Sequence, residues 1–238
     1  MVFTDPELTF QEYYRLFKTG RQEDPCTSLR QLAHGGLIAQ INQHGPCLAI
    51  ISGLHGDERS GPLALLEWAC RKDGLLCPDD KQVWLLPLLN DQGWDKQERK
   101  WRGVDLNRAF IPGEEGTPVF VQEVMEEWAN HLPDMFLDIH EDETRPDEPY
   151  LFWYKEETHD LALRLAEHLQ AKSEPWDDFD YWRGSDEVYL RSLGCQQCIT
   201  IESPTGWVME ERIDWNLSAV KWCLEQLGMI RSFGQVEQ

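Results

Sequence analysis

Four short segments of this chain are apolar almost without interruption: Cys47–Ile51, Gln82–Leu89, Met135–Ile139 and Cys198–Ile201. A strand with one face in water alternates apolar and polar residues. A strand that is apolar on both sides is covered on both faces, as in a sheet flanked by helices. Helical spacing fills the intervals, so strands and helices alternate along the chain, and we expect an α/β fold with helices on both faces of one mixed sheet. At 238 residues the chain has room for one domain with a substantial core and not for two of ordinary size.

The pattern resolves into elements. Leu8, Tyr13, Leu16 and Phe17 lie at helical spacing within residues 7–18. Gly36–Ile41 and Cys47–Leu54 read as neighbouring strands joined at His44-Gly45-Pro46. Pro62 stands near the start of a helix with Leu63, Leu66 and Ala69 along one side. Gln82–Leu89 is a strand, and Asp91–Arg102 is a polar, charged loop. Thr117-Pro118 opens a helix that runs to about His131, and Met135–Ile139 is a strand that delivers His140. Tyr150–Tyr154 reads as a strand, Glu157–Lys172 as a helix, Cys198–Ile201 as a strand and Glu210–Ile230 as a closing amphipathic helix. We expect one domain over residues 1–238, with 1–35 a helical lead-in and 36–238 the catalytic core.

Charge excludes some partners. With 22 basic against 43 acidic residues the net charge is −21, a field that repels phosphate backbones and anionic membranes, so neither nucleic acid nor a membrane is an expected partner. The N-terminal residues show no basic start followed by an apolar run, and no stretch approaches the roughly 18 apolar residues of a membrane span. Seven cysteines form no dense framework, and Cys195-Gln196-Gln197-Cys198 leads straight into an apolar strand, the setting of buried free thiols. A cytoplasmic protein is expected.

Three separated pieces carry the chemistry: His55-Gly56-Asp57-Glu58, His140, and Glu202 in Ile-Thr-Ile-Glu-Ser-Pro. Two imidazoles and a carboxylate are a ligand set for a catalytic zinc with an open fourth position. A further glutamate nearby is suited to be the general base of a metallohydrolase. Asn107-Arg108, in Gly103-Val104-Asp105-Leu106-Asn107-Arg108, can grip a carboxylate, because the planar guanidinium fork meets it with two parallel hydrogen bonds. His55, His140 and Glu202 each end an apolar run, and strand C-termini are where open α/β sheets place their sites.

These motifs resemble those of the M14 zinc carboxypeptidases and of the related aspartoacylase and succinylglutamate desuccinylase branch. His55-Gly56-Asp57-Glu58, Asp105-Leu106-Asn107-Arg108, Ile139-His140-Glu141 and Glu202 stand in the family's order and span about residues 47–206. Gly61–Leu66, Trp84–Pro87 and His140–Asp142 look most like small bacterial members. The resemblance implies a zinc carboxypeptidase-like fold and one zinc held by His55, Glu58 and His140. It implies Glu202 as general base and Asn107 and Arg108 on a terminal carboxylate. The family also places an arginine on the oxyanion; Arg99, Lys100 and Arg102 compete for that role, and Arg102 is preferred. Tyr181 and Tyr189 both stand where a residue closing over the substrate could come from. Asp138 and Asp57 are candidates to orient the ligand histidines.

The expected activity is a metallocarboxypeptidase that releases a C-terminal amino acid from a small peptide. The alternative is a deacylase of N-acyl amino acids, since both substrates present an amide next to a carboxylate. The extra β-rich region that follows the glutamate on the deacylase branch has no counterpart after Glu202, which tilts the expectation to the peptidase. A non-catalytic binding module would tolerate loss of a ligand or of Glu202, and none is lost. The acidic loop Glu141, Asp142, Glu143, Asp147 and Glu148 around Arg145 points to a basic or neutral leaving residue.

Overall fold

The computed structural model describes residues 7–21, 27–33, 36–42, 44–70, 80–153, 156–176 and 182–230. Eight strands among them are β1 (Thr27–Gln31), β2 (Leu37–Ile41), β3 (Cys47–Ser52), β4 (Gln82–Leu88), β5 (Met135–Asp142), β6 (Tyr150–Trp153), β7 (Lys172–Pro175) and β8 (Gln197–Pro204). They form one mixed sheet in the order β1-β2-β4-β3-β5-β8-β6-β7. The four continuously apolar segments are its centre: β4, β3, β5 and β8 are mutually parallel, so their C-terminal ends share one edge. Antiparallel strands flank them, β2 beside β4 and β6 beside β8.

The helices are α1 (Phe10–Arg21), α2 (Ser60–Cys70), α3 (Asp91–Lys96), α4 (Val119–Asn130), α5 (Glu156–Leu169), α6 (Asp186–Leu193) and α7 (Met209–Ile230). Successive strand residues point to opposite faces, and the core divides accordingly. Leu48, Ile50, Leu137 and Ile139 pack with α1, α2, α5 and α7 on one face. Ala49, Ile51, Trp84 and Phe136 pack with α4 and Leu190 of α6 on the other. This is the two-faced α/β architecture that the apolar strands imply.

Four local features differ from the sequence expectations. Asp91–Arg102 contains helix α3, because Asn90 Oδ1 accepts from Gly93 N at 2.8 Å and caps it. Trp94, fully buried, anchors it edge-on to Tyr13, with ring centroids 5.6 Å apart. The helix expected over Glu157–Lys172 stops at Leu169, and Gln170 at φ 53 turns the chain into β7, an outer strand with no apolar pattern of its own. Helix α6, absent from the sequence reading, is capped by Ser185 Oγ at one end and by left-handed Gly194 at the other. Strand β1 lies inside residues 1–35, the expected lead-in.

The link from β3 to α2 depends on two glycines. Gly53 takes φ +63, a region glycine enters without steric cost. Gly56 lies against α3 so closely that a Cβ there would stand 2.0 Å from the Gly93 carbonyl carbon and 2.3 Å from Trp94 N. Both obstacles are backbone, so the turn itself would have to move. Gly56→Ala is therefore expected to cost on the order of 2 kcal/mol, lowering the melting temperature by roughly 4–8 °C. An unchanged melting temperature, followed by circular dichroism, would show that the contact relaxes freely.

Candidate metal centre and its surroundings

The edge formed by the C-termini of the parallel strands brings together residues far apart in the chain. His140 on β5 and Glu202 on β8 are paired in strand register, and Tyr150 on β6 is opposite Glu202, so the three stand side by side on one sheet face. His55 and Glu58 arrive on the β3–α2 turn, with Glu58 N donating to His55 O at 3.3 Å.

Glu58 is the meeting point. Its Oε1 lies 2.7 Å from His55 Nδ1 and its Oε2 lies 2.6 Å from His140 Nδ1. The imidazole centroids are 4.9 Å apart, and all three residues are buried. Each ring turns its other nitrogen to a second carboxylate, His55 Nε2 to Asp105 Oδ1 at 3.2 Å and His140 Nε2 to Asp138 Oδ2 at 2.7 Å. Asp138 is fully buried and meets His140 as an ion pair. Inner nitrogens converging on one carboxylate, with outer nitrogens held by carboxylates, are the arrangement of histidines that ligate a metal. The donor atoms of His55, Glu58 and His140 lie within 4.8 Å of one another, and this nitrogen and oxygen set fits a divalent ion.

The charges follow from burial and pairing. Burial opposes ionisation of Glu58, but His55 and His140 outweigh it and hold the carboxyl well below its ordinary value. Burial likewise opposes a charge on His140, and Asp138 and Glu58 overcome it and raise the imidazole well above its usual value. The hydrogen bond to His55 pulls Asp105 down to about 2. Glu202 differs: burial pushes its carboxyl well up, His140 only partly offsets this, and its Oε2 is buried without a hydrogen-bond partner. It can hold a proton beside the proposed ligands.

Asp105 also caps a 3-10 turn over Leu106–Arg108 by accepting from Asn107 N at 3.1 Å. Asn107 is buried, with Nδ2 3.2 Å from His140 Nε2 and Oδ1 lacking a partner. Arg108 follows on the turn; its Nη1 donates to Asn107 O at 2.5 Å and its guanidinium lies 4.9 Å from the Trp182 ring. Asn107 and Arg108 thus sit beside the centre.

The arginine preferred from sequence is placed elsewhere. Arg102 takes φ 47, and its Nε donates to Gln92 Oε1 at 3.0 Å on the surface while its guanidinium lies over Trp101. Arg99 reaches the centre instead, with Nη1 2.8 Å from Glu58 Oε1. Asp105, rather than exposed Asp57, stands behind His55, and the Asp-x-Asn capping pattern was a usable signal for it. Tyr189 donates to Met125 O at 2.9 Å within the core, while Tyr181 lies outside the described residues. Sequence reasoning also missed Asp186 and Glu187, which join Asp138 in a second buried group of converging carboxylates. The Ser185 and Gly194 that bracket α6 were the signal that could have found them.

Comparison with known proteins follows the same lines. The model of the succinylglutamate desuccinylase/aspartoacylase catalytic domain matches residues 44–177. A search of curated proteins returned no match. Among solved structures, a protein from Shewanella baltica assigned as a metallopeptidase is similar with a TM-score of 0.79 at 20% identity, over 91% of this chain and 92% of that one. A metallo-carboxypeptidase from Burkholderia cenocepacia gives 0.75 at 16% identity, over 92% of this chain and 69% of that one. A metallo-carboxypeptidase from Pseudomonas aeruginosa, in complex with (2-guanidinoethylmercapto)succinic acid, gives 0.73 at 20% identity, over 93% and 70%. At these identities the likeness is one of fold.

If the centre holds a metal, the carboxylates behind the histidines should matter for it. His140→Ala should abolish stoichiometric metal in elemental analysis. Asp105→Ala should weaken metal affinity by about 10–100-fold in a chelator competition titration. Equal metal content in wild type and His140→Ala would dismiss the centre.

Proposed function

Because the chain belongs to the succinylglutamate desuccinylase/aspartoacylase catalytic-domain family, we propose that it is a zinc-dependent hydrolase of amide bonds adjacent to a free carboxylate. Within that chemistry we favour a metallocarboxypeptidase that releases the last residue of a small peptide. The observation that carries the reading is the convergence of His55 Nδ1 and His140 Nδ1 on Glu58, with Glu202 in register beside His140. The likeness to carboxypeptidase structures supports it. So does the P. aeruginosa ligand, which carries the carboxylates of a succinic acid at one end. N-acyl amino acid deacylation remains the second reading, and the family match favours it.

Zinc at His55, Glu58 and His140 would supply a Lewis acid and bring the pKa of a water toward about 7. The chain's own residues do the rest. Asn107 and Arg108 hold the substrate's carboxylate, which fixes the scissile amide against the Glu202 face of the sheet. Glu202 as a carboxylate, its proton affinity raised by burial, takes the proton of the attacking water and passes it to the departing amine nitrogen. Arg99, at the edge of the centre, is the arginine we assign to the developing oxyanion in place of Arg102. Five free cysteines among the described residues support a reducing compartment and hence a cytoplasmic setting. No helix among those residues is long and apolar enough to cross a membrane.

Three substitutions test the roles. Glu202→Gln should keep the metal and lose roughly 10²–10⁴-fold in turnover; near-wild-type turnover would require another base. Arg99→Ala should lower kcat by about 10²–10³-fold while Arg102→Ala stays near wild type, and the reverse order would restore Arg102. Amidation of the substrate's C-terminus and Arg108→Lys should each reduce kcat/KM sharply, because both remove the fork–carboxylate match. If amidated peptides are cleaved as well as free ones, the carboxylate grip is wrong.

A further inference from the structure

A guanidinium on a long side chain loses rotamer freedom when it is fixed, so it grips a carboxylate well only where the protein has already set its orientation. The turn Trp182–Gly184, just before α6, meets Arg108 at two points. At the backbone, Gly184 takes φ +87 and lies so close that a Cβ would stand 2.4 Å from the Arg108 carbonyl oxygen. The Gly184 carbonyl in turn accepts from Phe110 N at 2.9 Å. At the far end of the side chain, the Arg108 guanidinium carbon lies 4.9 Å from the centroid of the Trp182 ring. Ser185, the cap of α6, closes the turn by donating its N–H to Trp182 O at 3.0 Å.

Trp182 is itself backed by other rings. It stacks on Trp176 with centroids 4.7 Å apart and planes at 11°. The Phe152 centroid lies 6.0 Å from that of Trp182 and 5.9 Å from that of Trp176. Trp176 N donates to Trp153 O at 2.9 Å, which ties the stack to the end of β6. Phe152 shares a face of β6 with Tyr150, which stands opposite Glu202, and the two rings meet edge-on at 5.2 Å. A row of four rings therefore runs from the strand beside the proposed base to the arginine of the proposed carboxylate grip. An indole face draws a guanidinium through its quadrupole and uses up none of the N–H donors that a carboxylate needs.

We propose that Trp182 is the positioning residue of the carboxylate grip. It holds the Arg108 guanidinium in the orientation that meets the substrate's carboxylate, and Trp176 and Phe152 hold Trp182. Asn107 is fixed differently, being buried on the capped turn with Nδ2 3.2 Å from His140 Nε2. The Arg108 side chain extends beyond that turn and takes its support from the ring. The inference rests on the reading that Asn107 and Arg108 grip a carboxylate, which a peptide and an N-acyl amino acid both present.

The test is kcat/KM of the metal-replete protein for an N-blocked dipeptide with a free C-terminal carboxylate and for its C-terminal amide. Wild type should prefer the acid. Trp182→Leu, which fills much of the space with no π face, should lower the acid-to-amide ratio by about 3–30-fold. Trp182→Phe, which keeps a face, should restore most of the ratio. Added to Arg108→Ala, Trp182→Leu should change the ratio by less than about 2-fold, because the group it positions is gone. A ratio taken within one sample is independent of the fraction folded, so a packing defect alone would leave it unmoved. An unmoved ratio in Trp182→Leu, equal losses in the Leu and Phe variants, or the same loss in the Arg108→Ala background would overturn the inference. A wild type indifferent to the acid would overturn the carboxylate grip and the inference with it. If no dipeptide is turned over, the carboxypeptidase reading fails, and the comparison is read from the Kd values of N-acetyl-leucine and its amide by calorimetry. Weaker binding of the acid by Trp182→Leu than by wild type would then support the inference; equal binding by both, or none by wild type, would overturn it.

Discussion

The buried carboxylate of Glu58 holds the site together. A charge at 7% exposure is stable only with partners, and its partners are two imidazoles from different parts of the sheet. Its Oε2 also accepts from Glu141 N at 3.2 Å. The β3–α2 turn is thereby tied to the end of β5 across the centre of the sheet. Everything on that turn inherits the constraint. Gly56 must pass against α3, and Asn90, which caps α3, donates to Leu54 O at 3.2 Å and to Arg99 O at 3.0 Å. The apparently featureless loop between β4 and the Asn107 turn is ordered by this one buried amide. That ordering brings Arg99 inward and leaves Arg102 against Gln92.

Legibility in the sequence followed the strength of the physical signal. Strands buried on both faces are apolar throughout, and β3, β4, β5 and β8 were visible for that reason. Their parallel order was not visible, but their shared C-terminal edge was implied by where His55, His140 and Glu202 fall. Short or outer elements gave weaker signals. Lys172–Pro175 is a strand because β6 offers it an edge, and nothing in Lys-Ser-Glu-Pro declares it. Helix α3 is six residues long, below the length at which periodicity means anything, and is made by its cap and by Trp94. The metal-ligand candidates were legible because the chemistry demands particular residue types. The arginine choice was not, because three basic residues within four positions differ only in which way the backbone points them.

The same limit explains the buried acids. Asp186 and Glu187 are ordinary residues at a helix start, where carboxylates are common and favourable. Only the register of β5 with β8, and the seating of α6 against the turn that carries Arg108, places them beneath His140. Of the acids after His140, Glu141 pairs with Arg212 and Glu148 with Lys172, while the loop's Arg145 pairs with Glu174 on β7.

The four residues Asp105–Arg108 touch the outer edge of both proposed ligand histidines: Asp105 meets His55 Nε2, and Asn107 meets His140 Nε2. The residues proposed to grip the substrate's carboxylate are therefore on the same short turn that orients the imidazoles. A shift of that turn moves the substrate and the ligand rings together, so their relative geometry is preserved. Separate supports would let the two drift independently, and misplacement by as little as 1 Å is enough to cost about a hundredfold in rate. Placing both functions on a capped 3-10 turn, pinned by Gly184 and Phe110 on one side and by His140 on the other, removes that freedom.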